Sequence, residues 1–255
     1  MEQFIAKNLN KSTQVHNSLF PNSFRMLIVG SSGCGKTCLL MRLLLENSML
    51  NYNKLYIFAR SLYQPQYIVL KAGIENNLPK SMIIDLLNAQ KVDNIDDIAK
   101  TMHELIELGL ADGELSSIEG EFHTTGDKIP DPQEIDRSIR NLIIFDDIMN
   151  DKQQTPAENY YTRGRSASCD CIYLSQNYTK LPLHTIRSNS NFMVFFKSPP
   201  LVVEQLHRNF SSVDMTIDEW RNFCKTAWNK KYGFIVIDLS RDFESGNKYR
   251  TQLEL

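Results

Sequence analysis

Short apolar runs recur along the chain, each closed by a glycine or polar residue: Arg25–Val29, Lys54–Ala59, Leu142–Phe145, Cys171–Ser175, Asn191–Phe196 and Gly233–Asp238. Near-continuous apolar runs of this length predict strands buried on both faces. Ser81–Asp85 reads as a further strand. Between the runs, Cys38–Leu45, Ala157–Ser166, Pro200–Phe210 and Ile217–Trp228 read as helices. Ile95–Leu108 sets Ile95, Ile98, Met102, Leu105 and Ile106 at helical spacing. Strands alternating with helices predict an α/β fold, a mostly parallel sheet with helices on both faces. Residues 1–24 are polar and mixed and read as an N-terminal arm, with 25–255 as a single domain. Within it, Gly109–Arg140 carries many Asp and Glu, several Gly and Pro and few large apolar residues. It reads as a long exposed acidic excursion.

Composition changes this picture little. Of the 255 residues, 42% are hydrophobic and 23% charged, which argues against wholesale disorder. No apolar run approaches the roughly 18 residues that span a bilayer, and Met1–Asn10 lacks a signal-peptide core, so no membrane association is expected. Five cysteines (Cys34, Cys38, Cys169, Cys171, Cys224) without paired spacing read as free thiols of a reducing compartment. A net charge of −2 does not announce a nucleic-acid binder; a local basic surface would suffice for one.

Candidate chemistry begins at Gly30-Ser31-Ser32-Gly33-Cys34-Gly35-Lys36-Thr37, which fits G-x-x-x-x-G-K-[ST] between an apolar strand and an apolar helix. Glycines let the backbone wrap a phosphate, Lys36 reaches the β- and γ-phosphates, the Thr37 hydroxyl binds Mg2+, and the helix directs its positive end at the anion. The expected ligand is ATP. Leu142–Phe145 ends in Asp146 and Asp147, and such a strand, lying beside the loop-bearing strand, delivers a carboxylate to the metal. Asp146 takes that role, and Asp147 stands where a water-activating carboxylate belongs; the alternative is a pair capping a turn. Gln176 ends the Cys171–Ser175 run, where an amide can address a γ-phosphate or attacking water, or simply face solvent. Arg163 and Arg165 precede that run and are candidates for a guanidinium supplied across a subunit boundary, or are ordinary surface arginines. Arg187 is a third candidate, and with Lys180 and His184 it could equally contact a DNA backbone. The aromatics of "NFMVFF" read as core.

Together, "LIVGSSGCGKT", "NLIIFDDI", "YYTRGRSASCDCIYLSQNY" and "IRSNSNFMVFFK" resemble the genome-packaging ATPases of the FtsK/HerA superfamily. The similarity is to the poxvirus-like branch of large DNA viruses, virophages and Polinton (Maverick) transposons, over about Phe24 to Arg250. The resemblance implies a RecA-like P-loop NTPase fold and a homo-oligomeric ring. It also implies Mg2+-dependent ATP hydrolysis that drives double-stranded DNA into a capsid, with capsid or portal-like vertex proteins as partners. The setting it implies is the intracellular site of virion assembly, in cytoplasm or nucleus, or the virion itself. On it, Gln176 senses the γ-phosphate and Arg163 or Arg165 is the trans-acting finger. The departure is Asp147, where much of the superfamily has glutamate. The competing expectations are a P-loop phosphotransferase, with the excursion as a lid, and a nucleotide-gated scaffold without DNA translocation.

Overall fold

The computed structural model describes residues 16–89, 101, 104, 108, 118–125, 128–148 and 155–253. β1 (Arg25–Val29) enters a glycine loop that opens α1 (Lys36–Leu45). β2 (Lys54–Ala59), α2 (Pro65–Glu75), α3 (Lys80–Asn88) and β3 (Glu119–His123) follow. Then come β4 (Asn141–Asp146), α4 (Thr155–Arg163), β5 (Cys169–Ser175) and β6 (Phe192–Phe196). The chain closes with α5 (Pro200–Leu206), α6 (Ile217–Trp228), β7 (Phe234–Asp238) and β8 (Tyr249–Arg250). The strands form one sheet in the order β3-β2-β4-β5-β1-β6-β7-β8, parallel from β3 to β6, with β7 antiparallel to both its neighbours.

Strand alternation divides the core in two. Met26, Ile28, Leu55, Ile57, Leu142, Ile144, Ile172, Leu174 and Val194 face α1, α2 and α3. Leu27, Tyr56, Phe58, Ile143, Phe145, Cys171, Tyr173, Met193 and Phe195 face α4, α5 and α6. Both faces are covered, and the strands are therefore apolar at successive positions. Local chemistry sets the helix starts. Pro65 opens α2 with its φ already suited to a first turn. Thr216 and Glu219 form a reciprocal cap on α6, with the Glu219 carboxylate accepting from Thr216 N–H at 2.8 Å.

Four expectations change. Ser81–Asp85 is not a strand but part of α3: Met82, Ile83, Leu86 and Leu87 recur at four-residue spacing, and Ile83 packs on α2 at Gly73. The acidic excursion contains β3, a parallel edge strand on β2 with Lys54 Nζ 2.8 Å from Glu121. "EGEFH" is almost wholly polar, and its backbone ladder rather than its periodicity puts it in the sheet. β4 does not lie beside β1; β5 stands between them, bonded to both. The helices expected at Ala157–Ser166 and Pro200–Phe210 end at Arg163 and Leu206, each continued by a tighter or wider turn. Most of Ile95–Leu108 and the stretches 1–15 and 109–117 lie outside the described residues. Of the N-terminal stretch, His16, Leu19, Phe20 and Phe24 are buried.

Candidate functional site

A cleft of about 540 Å³ opens where β1, β5 and β4 end, between the glycine loop, the start of α2 and the turn before β7. Ser32, Gly33, Gly35, Lys36, Thr37, Asp146, Asp147 and Gln176 all line it. Carboxyl ends of parallel strands are where open α/β sheets hold ligands, because the connecting loops diverge there.

The loop reaches this position through backbone conformations that L side chains avoid. Gly33 and Gly35 have φ of 73° and 105°, and Gly35 caps α1 while its carbonyl accepts from Leu39 N–H at 2.9 Å. At its entrance Gly30 N–H donates to Ser175 O at 3.1 Å, so the loop hangs from the end of β5. The Lys36 ammonium donates to the carbonyls of Gly30 at 2.7 Å and Ser31 at 2.9 Å, which holds it across the mouth of the loop. Burial pushes the Cys34 thiol up, although the Lys36 charge opposes this, so Cys34 behaves as a packing group.

Two carboxylates end β4 in different settings. Asp146 is half-buried, and its Oδ2 accepts from the Tyr67 hydroxyl on α2 at 2.6 Å. Burial is the main cause that raises the Asp146 pKa, and the Asp147 charge adds to it; Tyr67 and Lys36 pull the other way. Burial and the Asp146 carboxylate together push the Tyr67 phenol up, so it stays a donor. Asp147 turns out of the strand in a left-handed conformation, φ 54°, with its N–H on Leu174 O at 3.3 Å. Gln176 Nε2 donates to Asp147 Oδ2 at 3.1 Å. Because β5 is inserted between β1 and β4, the Gln176 amide stands between the loop and the carboxylates. The donor set of Thr37 hydroxyl and Asp146 carboxylate is hard oxygen, which fits Mg2+ rather than a softer metal.

The arginines lie elsewhere. Arg163 ends α4 and pairs with Asp131 at 3.1 Å; Arg165 is exposed on the following turn, Gly164–Ala167. Both precede β5, at the end of the sheet opposite the cleft, roughly 20 Å away for a strand of this length. They cannot serve the cleft of their own chain. Arg187 packs its guanidinium 5.0 Å from the Tyr178 ring centre. Tyr67 and Tyr232, a further residue of the cleft wall, were not apparent in the sequence: "PQYIVL" reads as core helix and "KKYG" as a surface turn.

The model of the Poxvirus A32 protein family matches residues 11–70, the span of β1, the glycine loop, α1 and β2, in keeping with the resemblance drawn from the motifs. No curated protein matches the chain in sequence. In fold it is similar to the genome packaging NTPase B204 from Sulfolobus turreted icosahedral virus 2. In complex with AMP that structure superimposes with a TM-score of 0.51 at 10% identity, over 91% of this chain and 97% of that one. In complex with sulfate the TM-score is 0.51 at 12% identity, over 88% and 95%. At such identities the likeness is one of fold: a P-loop ATPase sheet with helices on both faces. None of the helices among the described residues is long and apolar enough to cross a membrane.

Proposed function

We infer that this chain is an ATP-hydrolysing motor that moves double-stranded DNA into a viral or virus-like capsid. The observation that carries the ATPase reading is the convergence of Lys36, Thr37, Asp146, Asp147 and Gln176 on one cleft from three adjacent strand ends. The packaging reading is supported by the family match, by the fold of a genome packaging NTPase, and by the motifs after β4.

Each residue has a job that its setting allows. The loop N–H groups and the Lys36 ammonium bind phosphate oxygens, and an incoming phosphate competes with two carbonyls for that ammonium. Thr37 and Asp146 would hold Mg2+, which neutralises charge on the transferring phosphoryl group. Tyr67 keeps the Asp146 carboxylate in one orientation. Asp147 accepts the proton of the attacking water, and Gln176, bonded to Asp147, orients that water and reads the γ-phosphate. Arg165 or Arg163, remote from its own cleft, acts on a neighbour's, which requires a ring. The intracellular site of virion assembly and a capsid or portal-like partner follow from the same reading.

The deciding experiment measures ADP release with Mg2+, with and without long double-stranded DNA. Stimulation by DNA of any sequence, lost at high salt because phosphate contacts dominate, is the expected result. Turnover that needs a small acceptor instead would make the chain a phosphotransferase, and binding without turnover a nucleotide-gated scaffold.

A further inference from the structure

Among the described residues, Asn77, Asp147, Ser168 and Tyr232 have a left-handed backbone without being glycine. Asn and Asp tolerate that region through local hydrogen bonds of short polar side chains, and Ser168 closes a tight turn with its N–H on Gly164 O. Neither reason applies to Tyr232, φ 61°, whose bulky ring makes the conformation costly. Strain of this kind persists only where the surroundings over-determine it, and it concentrates at ligand sites.

The surroundings of Tyr232 are built in that way. At the end of α6, Trp228 Nε1 donates to Phe195 O at 3.1 Å, which pins the helix to β6. The following turn closes through Gly233 N–H on Lys230 O at 2.9 Å. A Cβ at 233 would lie 2.0 Å from Ala227 O, so the steric demand for glycine falls there, not at 232. Packing does not explain the tyrosine either, because its side chain is left 58% exposed. The ring nonetheless forms part of the cleft wall. A Cβ at Gly35 would meet Tyr232 Cδ1 at 3.4 Å and Phe196 Cε1 at 3.5 Å, and Phe234 lies against Phe196 with ring centres 5.6 Å apart. Next to the loop the cleft wall thus changes from polar to aromatic.

We propose that Tyr232 is the platform on which the nucleobase stacks, and that the cleft consequently favours purine over pyrimidine nucleotides. This rests on the reading of the cleft as a nucleoside triphosphate site. With the phosphates on Gly30–Thr37, a base leaving the loop past Gly35 meets this aromatic wall. The Lys231 ammonium, 5.1 Å from the ring centre, covers one face, and the base takes the other. A larger ring system buries more area on a phenol, hence the purine preference.

The test is equilibrium binding of ATP, CTP and inorganic tripolyphosphate, with Mg2+, to the wild type, Tyr232→Phe, Tyr232→Gly and Tyr232→Asn. Gly and Asn both accept a left-handed backbone, so at least one ring-free variant should melt no lower than the wild type. Expected is a loss on the order of ten-fold for ATP in the ring-free variants. Tripolyphosphate binding should be unchanged, the ATP-over-CTP preference levelled, and Tyr232→Phe close to wild type. An equal loss for ATP and tripolyphosphate, or unchanged ATP binding, overturns the platform while leaving the phosphate loop in place. A wild type that binds neither ATP nor tripolyphosphate overturns the reading of the cleft itself, and the platform with it.

Discussion

The two ends of the sheet hold buried or half-buried aspartates of opposite character. At the start of β5, Asp170 is buried and saturated: Phe24 N–H donates to Oδ1 at 2.9 Å, and His16 Nε2 and Arg140 Nε reach Oδ2 at 3.0 and 2.9 Å. Asn51 N–H donates to His16 Nδ1, and Arg140 Nη2 also lies 3.2 Å from His16 Nε2. At the end of the neighbouring β4, Asp146 has Tyr67 as its donor, and burial raises its pKa. Asp147 beside it adopts a left-handed backbone. One end ties the segment 16–24 to the sheet with charge matched by charge. At the other, neutral donors meet the carboxylates, Tyr67 on Asp146 and Gln176 on Asp147, beside an open cleft. Matching a buried charge with charge serves the fold, whereas neutral donors leave a carboxylate's charge available to bind a cation or accept a proton.

The contrast predicts which substitutions change activity and which change stability. Lys36→Ala should abolish hydrolysis and leave thermal melting near wild type, because the side chain faces the cleft and its loss opens no core cavity. Undiminished ADP release by that variant would remove the functional end from the comparison. Arg165→Ala probes the contrast from the other side, since it places a residue of activity at the structural end. ATP affinity should hold while turnover falls on the order of 10³-fold. Mixing it with Lys36→Ala should restore part of the activity at interfaces that pair an intact loop with an intact arginine. Normal turnover in both Arg165→Ala and Arg163→Ala would move attention to Arg187.

Asp170→Ala should cost about 3–5 kcal/mol in urea unfolding, because it strands Arg140 and His16 in a part-buried site. Hydrolysis per folded molecule should hold; a specific loss of turnover would show that the opposite end also takes part in chemistry. The smallest effect on stability is expected at Asp146→Asn. A carboxyl whose folded pKa is raised keeps its proton where the unfolded chain has released it. Its favourable contribution is therefore present at low pH and lost as pH rises from the ordinary carboxylate range through the folded value. Near neutral pH without Mg2+, Asp146→Asn should melt slightly higher than wild type, since an amide still accepts from Tyr67. It should also lose Mg2+-dependent nucleotide binding. A lower melting temperature would mean that the Asp146 charge stabilises the fold.

Much of this was present in the chain's local chemistry. Runs of apolar residues marked the strands β1, β2, β4, β5, β6 and β7, because a strand buried on both faces must be apolar at successive positions. The loop Gly30–Thr37 was legible because its glycines and Lys36 are adjacent in sequence, so spacing alone carries the geometry. Asp146, Asp147 and Gln176 were legible as strand-end residues. The polar edge strand β3 was not, since its ladder to β2 is made by backbone groups that every residue possesses. Nor was the order of the strands: only parallel pairing on both sides of β5 puts Gln176 between the loop and Asp147, and only the return of α4 along the sheet, from the end of β4 to the start of β5, carries Arg163 and Arg165 to the far end. Tyr67 reaches Asp146, and Tyr232 reaches Gly35, across long separations in sequence, through the packing of α2 and of the turn before β7. The sequence by itself thus determined the strand periodicity and the one loop whose chemistry is contiguous. The tertiary structure decided which remote groups share a cleft, because such contacts depend on where whole elements pack and not on any local pattern.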